Sequence, residues 1–126
     1  MSFRIAKAYD FDASHHLPGL PDGHKCGRVH GHTWRVEVTL AADELRAPGF
    51  VTDFGDLRPF GKYVADHFDH RDLNKVVSFP PTSELLAEHF GKWVVENLVP
   101  HVSGRLDRVR VWESATSWAE YTPDPS

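Results

Sequence analysis

The chain has 126 residues, 40 % of them hydrophobic and 25 % charged, which suits one folded domain over residues 1–126 and argues against disorder. The formal net charge of −4 argues against a general nucleic-acid binder, which would carry a basic face. No apolar run approaches the roughly 18 residues needed to cross a membrane, and MSFRIAKAYDF lacks the apolar core of a secretory signal. With one cysteine the chain cannot form an internal disulfide, so we expect a cytoplasmic protein with a free thiol.

Alternation of apolar and polar residues predicts two strands in the first third of the chain. In FRIAKAYDFDASHH, residues 3–16, the apolar side chains share the odd positions, as expected for a half-buried strand. A loop rich in proline and glycine, residues 17–29, separates it from HGHTWRVEVTL, residues 30–40, which alternates again. The length of the loop and the pattern on both sides predict an antiparallel pair.

Helical spacing replaces alternation in the middle of the chain. Asp53 is a plausible N-cap for a helix that runs to Phe68, in which Pro59 either introduces a kink or begins the regular part. A polar turn, DHRDLN, follows, and Thr82 with Ser83 opens a second helix that runs to Leu98.

Two short strands, RLDRVRVWES and TSWAEYT, close the chain and give the order β-β-α-α-β-β. This order predicts an α+β domain in which two helices cover one face of a four-stranded antiparallel sheet. The edges of such a sheet invite pairing with another copy, so we expect a homo-oligomer.

Three histidines share the apolar side of the two predicted N-terminal strands. His30 and His32 have the parity of Trp34, and His15 has the parity of Phe11. If neither strand is bulged, pairing brings the three rings together, and three neutral imidazoles are the ligand set of a catalytic zinc site. The alternative is a set of structural or exposed histidines, because a His-x-His pair alone is a weak signal.

Cys26 lies four residues before His30 in a loop that also contains His24, Lys25 and Arg28. The sequence allows three roles for Cys26. It is either a fourth metal ligand that closes the site, or a reactive thiol beside the metal, or an inert cysteine. Nearby positive charge lowers the pKa of a thiol from about 8.5 towards neutrality, which would make Cys26 a usable base.

Two carboxylates also require an explanation. Asp69 and His70 are adjacent at a predicted helix end, where they form either an acid/base couple or, as the position alone favours, a C-terminal cap. Glu113 has the inward parity of Val109 and Val111. It either binds a ligand with paired N–H groups or reaches solvent at the strand end.

Six ordered blocks, FDASHHLP, GHKCGRVHGHTW, VTDFGDL, DHRDLN, PTSE and VWES, resemble the 6-pyruvoyltetrahydropterin synthase / 6-carboxytetrahydropterin synthase family. The resemblance covers nearly the whole chain, from Phe11 to Glu113. It implies a tunnelling fold (T-fold), in which β-β-α-α-β-β subunits surround a central β-barrel. It also implies a homohexamer built from two trimers, with active sites at the subunit interfaces.

The resemblance assigns roles by position. It implies Zn²⁺ on three histidines, a catalytic cysteine, a catalytic Asp-His couple supplied by a neighbouring subunit, and a carboxylate that anchors the pterin with two residues lining its pocket. In this sequence these are His15, His30 and His32; Cys26; Asp69 and His70; and Glu113 with Thr82 and Ser83.

The spacing C-x3-HGH in CGRVHGH is similar to the bacterial 6-carboxytetrahydropterin synthases of queuosine biosynthesis. The implied reaction converts 7,8-dihydroneopterin triphosphate to 6-carboxy-5,6,7,8-tetrahydropterin, with loss of acetaldehyde and triphosphate. A 6-pyruvoyltetrahydropterin synthase, which only eliminates triphosphate, and a non-catalytic zinc-binding assembly module are the alternatives. His16 departs from the family, in which arginine is common at this position.

Overall fold

The computed structural model describes residues 2–124 as one sheet with helices on one side. The strands are β1 (Phe3–His15), β2 (His30–Ala42), β3 (Arg71–Asp72), β4 (Arg105–Trp112) and β5 (Trp118–Tyr121). The α-helices are α1 (Arg58–His67), α2 (Leu73–Val76) and α3 (Ser83–Asn97), and the 3₁₀ helices are Lys25–Gly27, Phe54–Leu57 and Val99–His101.

The sheet has the order β3-β1-β2-β4-β5 and is antiparallel except where β3 runs parallel to β1. The β1–β2 register is unbroken and pairs Phe11 with Trp34 and His15 with His30. Because side chains alternate along each strand, this register fixes which residues share a face. The inward residues of the sheet join those of the helices in one core. Its fully buried members include Phe11, Trp34, Val36, Val38, Phe60, Val64, Leu86, Phe90, Val94, Val109 and Val111.

Two glycines allow the long helices to lie close to the sheet. A Cβ at Gly61 of α1 would overlap the ring of Tyr9, and one at Gly91 of α3 would stand 2.5 Å from the ring of Tyr121. Such contacts are closer than real Cβ atoms show, so these tyrosines occupy space that only glycine leaves open.

The sheet, with its helices packed on one face, confirms the predicted α+β class.

The predicted helix starts are also observed. The Asp53 side chain accepts a hydrogen bond from the Gly55 N–H at the 3₁₀ turn before α1, and Pro59 stands in the first turn of α1. Of the two predicted roles for Pro59, beginning the regular helix is therefore the right one, because a proline there needs no N–H partner. The Thr82 side chain caps α3 by accepting from the Leu85 N–H.

The prediction of four strands and a plain polar turn was wrong in one place. Within DHRDLN the chain forms β3, which pairs Arg71 with Ala13 and Asp72 with Ser14, and then the single turn α2. A two-residue strand carries too few positions to show alternation, so the pattern cannot reveal it. Its pairing depends on the edge of β1 lying nearby.

The opposite face of the sheet is charged. Arg35 Nε lies 2.9 Å from Asp10 Oδ1, and Arg110 Nε lies 2.7 Å from Glu120 Oε1. This face therefore belongs in water or against another polar surface. Within residues 2–124, no helix has the length and apolarity that a membrane span requires.

Candidate metal centre

Three imidazoles meet where β1 and β2 approach the long loop. The ring centroids are 4.5 Å apart for His15 and His30, 5.1 Å for His15 and His32, and 4.8 Å for His30 and His32. The β1–β2 register places all three on the inward side, as the parity of the sequence predicts. His15 is 0 % exposed, and the ring of Trp34 packs against it.

Backbone carbonyls orient two of these rings. His15 Nδ1 lies 2.8 Å from the Pro81 carbonyl oxygen, and His30 Nδ1 lies 2.6 Å from the Arg28 carbonyl oxygen. When Nδ1 donates its proton to a carbonyl, the neutral ring presents the lone pair of Nε2 to a metal. This arrangement is the usual support of a metal-binding histidine.

The inward nitrogens have no hydrogen-bond partner. Nε2 of His15 and Nε2 of His32 are both buried and unsatisfied within the described residues. Burial lowers the pKa of both histidines below the ordinary value, which favours the neutral, ligand form. Orphaned buried nitrogens are costly unless something binds them, so these residues fit a metal ion.

A carboxylate completes the cluster. Glu113 Oε1 lies 3.3 Å from Nε2 of His15 and 3.3 Å from Nε2 of His32. Ligand atoms of His15, His30, His32 and Glu113 all lie within 4.8 Å of one another, close enough to hold one ion. The inward parity predicted for Glu113 is therefore observed, and its carboxylate faces the histidines.

Cys26 is half-buried in the 3₁₀ turn that precedes β2. Its carbonyl accepts from the Leu17 N–H at 2.8 Å, and its own N–H donates to His24 Nδ1 at 3.1 Å, so the loop is held at both backbone groups. Among residues 2–124 the metal-capable group around His15 does not include Cys26. This speaks against the fourth-ligand role and leaves the reactive thiol and the inert cysteine as alternatives.

Asp69 and His70 form a hydrogen-bonded couple at the β1 edge. His70 Nδ1 lies 3.0 Å from Asp69 Oδ2, and Asp69 Oδ1 accepts from the Asp12 N–H at 2.9 Å. The Asp12 amide and the His70 ring hold the pKa of Asp69 below its usual range. The C-cap of α1 is Phe68, two residues before His70, and the ring of His70 pairs with Asp69, which is the geometry of a couple rather than of a C-terminal cap.

The backbone of His70 is unusual. Its φ of 57° lies in the left-handed region, which few residues other than glycine adopt. Its N–H donates to the Asp12 carbonyl at 2.6 Å, which holds the turn against β1. The residues that line an open cavity of about 570 Å³ here are Asp12, Ala13, Ser14, Gly31, His32, Thr33, His70, Arg71 and Asp72. His70 of the couple and His32 of the histidine cluster are therefore both among the residues that line this cavity.

Thr82 and Ser83 directly follow Pro81, the residue whose carbonyl contacts His15 of the cluster. Thr82 caps α3, Ser83 is the first residue of that helix, and the preceding Pro81 supplies the carbonyl that orients His15. The sequence did not predict the roles of Pro81 and Arg28. Every residue has a backbone carbonyl group, so the residue type does not indicate which carbonyl orients a histidine.

Asn74 was missed as well. Its Oδ1 accepts from the His16 N–H at 2.9 Å, and its Nδ2 donates to the His16 carbonyl at 2.9 Å. The Asn74 side chain thus makes the two hydrogen bonds to His16 that the backbone of a neighbouring strand would make. It extends the contacts of β1 beyond the two residues that pair with β3. Its only signal in the sequence is its place in the DHRDLN block.

The chain is similar to known proteins over nearly its whole length. The family model described as 6-pyruvoyl tetrahydropterin synthase matches residues 4–124. A 6-carboxy-5,6,7,8-tetrahydropterin synthase from Synechocystis is 37 % identical over 123 residues, covering 93 % of this chain and 91 % of the relative. A dihydroneopterin monophosphate aldolase from Pyrococcus furiosus is 30 % identical, covering 90 % and 91 %. The structure of Caenorhabditis elegans 6-pyruvoyl tetrahydropterin synthase superposes with a TM-score of 0.83 at 26 % identity, covering 98 % of this chain and 97 % of that one.

Proposed function

Because this chain belongs to the 6-pyruvoyl tetrahydropterin synthase family, we propose that it is a zinc-dependent 6-carboxytetrahydropterin synthase. It converts 7,8-dihydroneopterin triphosphate to 6-carboxy-5,6,7,8-tetrahydropterin in queuosine biosynthesis, and releases acetaldehyde and triphosphate. The observation that carries the proposal is the convergence of three inward histidines whose buried Nε2 atoms include two without a partner.

His15, His30 and His32 hold the metal in this proposal. Nitrogen donors of this kind suit zinc, which neutral imidazoles leave with its full positive charge. Zinc supplies a Lewis acid that makes the side-chain hydroxyls of the substrate and the adjacent C–H bonds more acidic. The carbonyls of Pro81 and Arg28 keep two of the rings in the ligating orientation.

Cys26 and the Asp69–His70 couple move protons. The Cys26 thiolate takes a proton from the substrate side chain, and its half-buried turn holds it near the start of β2. Asp69 accepts the Nδ1–H of His70, which leaves His70 Nε2 free to give or take a proton. Each positioned transfer contributes a factor of about 10²–10⁴ to the rate.

Glu113 anchors the pterin. A carboxylate accepts two N–H bonds from the guanidine-like edge of the ring in the same geometry as a fork with arginine. Thr82 and Ser83 line the pocket from the start of α3.

Assembly and location follow from the same family resemblance. We propose a homohexamer formed as a dimer of trimers, in which Asp69 and His70 serve the metal centre of a neighbouring subunit. The long free edge of β1 and the charged outer face of the sheet supply surfaces for such contacts. The single free thiol suits the cytoplasm.

The C-x3-HGH spacing and the identity to the Synechocystis relative favour the carboxy product. The likeness to the C. elegans enzyme makes a 6-pyruvoyltetrahydropterin synthase the second candidate. A non-catalytic zinc-binding assembly module requires that nothing be turned over at the metal.

The test is incubation of the purified protein with dihydroneopterin triphosphate, with and without a chelator, followed by mass analysis. We expect carboxytetrahydropterin and acetaldehyde, with loss of both on chelation and recovery when zinc is restored. A diketo product without acetaldehyde identifies the second candidate. A parallel incubation with dihydroneopterin monophosphate tests the activity named for the P. furiosus relative. No product from either substrate, with zinc bound, supports the assembly module.

A further inference from the structure

We propose that Thr33 is a positioning residue for the Asp69–His70 couple: its hydroxyl holds the carboxylate of Asp12 towards β2, so that Asp69 rather than Asp12 pairs with the His70 ring. This inference rests on the proposed function, in which the couple transfers protons. It gives a role to a threonine of the outer sheet face that does not itself touch the couple.

The backbone of Asp12 holds both members of the couple. Its N–H donates to Asp69 Oδ1 at 2.9 Å, and its carbonyl accepts from the His70 N–H at 2.6 Å. Asp12 directly precedes Ala13, the first residue of β1 that pairs with β3. The couple therefore continues the contact between β1 and β3 by one residue, and the Asp12 side chain stands beside it.

Two carboxylates consequently lie within reach of one imidazole. Ligand atoms of Asp12, Asp69 and His70 all lie within 4.8 Å of one another, and Asp69 Oδ2 lies 3.0 Å from His70 Nδ1. The His70 side chain is 79 % exposed, so packing does not fix the direction of its ring. An aspartate changes direction by rotation about two side-chain bonds. Proximity alone therefore does not determine which carboxylate accepts the ring N–H.

Thr33 determines it. Thr33 stands directly opposite Asp12 in the β1–β2 register, and its hydroxyl donates to Asp12 Oδ1 at 2.6 Å. This length is typical of a hydroxyl bound to an ionised carboxylate, which is among the stronger hydrogen bonds. Because β2 and β3 flank β1 on opposite sides, the bond draws the Asp12 carboxylate away from the edge where the couple lies.

Two nearby guanidinium groups have other partners. Arg35 shares the outer face of β2 with Thr33, but its Nε lies 2.9 Å from Asp10 Oδ1. Arg71 lines the same cavity as His70, but its Nη2 donates to the Asp66 carbonyl at 3.1 Å. The Thr33 hydroxyl is therefore the group whose removal should release the Asp12 carboxylate.

The first experiment is geometric and uses crystal structures of the assembled, Zn²⁺-loaded protein. In Thr33→Val we expect the Asp12 carboxylate to replace Asp69 at the His70 ring, because valine keeps the β-branched shape that suits a strand but has no hydroxyl. Thr33→Ser should keep the wild-type pair. An unchanged Asp69–His70 pair in Thr33→Val would overturn the inference.

Thr52→Val is the matched control. Thr52 Oγ1 donates to Asp56 Oδ2 at 3.1 Å ahead of α1, so this variant also loses a hydrogen bond between threonine and aspartate. We expect it to leave the Asp69–His70 pair as in the wild type. Displacement of the couple in Thr52→Val as well would contradict a specific role for Thr33.

The second experiment measures turnover of dihydroneopterin triphosphate. Thr33→Val should lower kcat about tenfold with KM within about twofold, because a misplaced proton-transfer group slows the reaction without weakening binding. Thr33 alternates with His32 along β2 and so faces away from the histidine cluster. Zn²⁺ content should therefore stay at the wild-type level, and metal loss in Thr33→Val would contradict the inference.

Suppression by a second change separates positioning from a general structural role. Adding Asp12→Ala to Thr33→Val removes the competing carboxylate but keeps the main-chain groups that hold the couple. We expect the double variant to regain the Asp69–His70 pair and most of the lost kcat. A double variant as slow as Thr33→Val, or a Thr33→Ser variant as slow, would overturn the inference.

The crystal structures involve no turnover, so the two proposals are judged separately. A couple that moves as expected in a protein that forms no product supports the positioning role of Thr33 and contradicts the proposed function. Product formation with a couple that stays in place has the opposite meaning.

Discussion

The histidine cluster and the Asp69–His70 corner are built in opposite ways, although His32 of the first and His70 of the second line one cavity. His15 is fully buried, its partner strand fixes its direction, and a carbonyl of the same chain fixes its tautomer. The His70 side chain is 79 % exposed and stands on a left-handed residue at a turn. One chain thus brings together the whole metal-capable cluster, whereas the side chain of His70 is left in contact with water.

The proposed roles of the two regions give this contrast a physical reason. A metal site needs a fixed set of ligands and is best placed on strands, where register leaves little freedom. A proton-transfer group must approach different atoms in turn, and a turn residue tolerates that movement. The following variants test whether the two regions are as separate as their geometry indicates.

The largest effect is expected from His15→Ala. Removing a buried ligand should abolish stoichiometric metal binding and lower turnover by about 10³-fold or more, because the Lewis acid contributes several kcal/mol to the transition state. Metal analysis and product assays measure this. His101→Ala, at an exposed histidine, should leave both unchanged. Full metal content in His15→Ala would show that the cluster is not the metal centre.

Cys26→Ala should lower turnover by about 10²–10⁴-fold while metal content and melting temperature stay near those of the wild type. The reason is that, within residues 2–124, the thiol belongs neither to the metal-capable group around His15 nor to the second such group, Asp12, Asp69 and His70. Cys26→Ser is the matched variant, and its hydroxyl is too weakly acidic to replace a thiolate. Metal loss in Cys26→Ala would restore the fourth-ligand role of the thiol.

The smallest effect is expected from Asp69→Asn, which keeps an acceptor for the Asp12 N–H but presents an amide donor to His70. The ring then changes tautomer, and we expect turnover to fall by about 10²-fold at unchanged metal content. Asp66→Asn, at an exposed carboxylate of α1, is the control. Metal loss in Asp69→Asn would show that the two regions are one unit.

Mixing the variants shows which subunit each group serves. If the couple acts on a neighbouring subunit, co-expressed His15→Ala and Asp69→Asn chains should recover part of the wild-type activity, since some interfaces combine two intact halves. If both groups serve their own chain, no mixture exceeds the Asp69→Asn activity. The comparison needs only the product assay on co-purified chains.

Local patterns were informative where an element is long. Thirteen residues of β1 and thirteen of β2 give alternation enough repeats to fix the inward side, which is why the parity of three histidines located the cluster. The helix caps at Asp53 and Thr82 could also be predicted from the sequence, because a side chain makes each capping hydrogen bond. The two-residue β3 and the carbonyls that orient the histidines could not be predicted, because they depend on backbone segments that only folding brings together.

The amino-acid order by itself determined the fold class, the inward set of histidines and the family, because these depend on periodicity and on residue types at fixed spacing. Only the tertiary structure decided that Glu113 Oε1 stands 3.3 Å from two imidazole nitrogens. It also decided that, within residues 2–124, Cys26 is not part of the metal-capable group that His15 belongs to. Distances between β4, the long loop and the β1–β2 pair arise from strand order and packing. No local pattern in the chain encodes them.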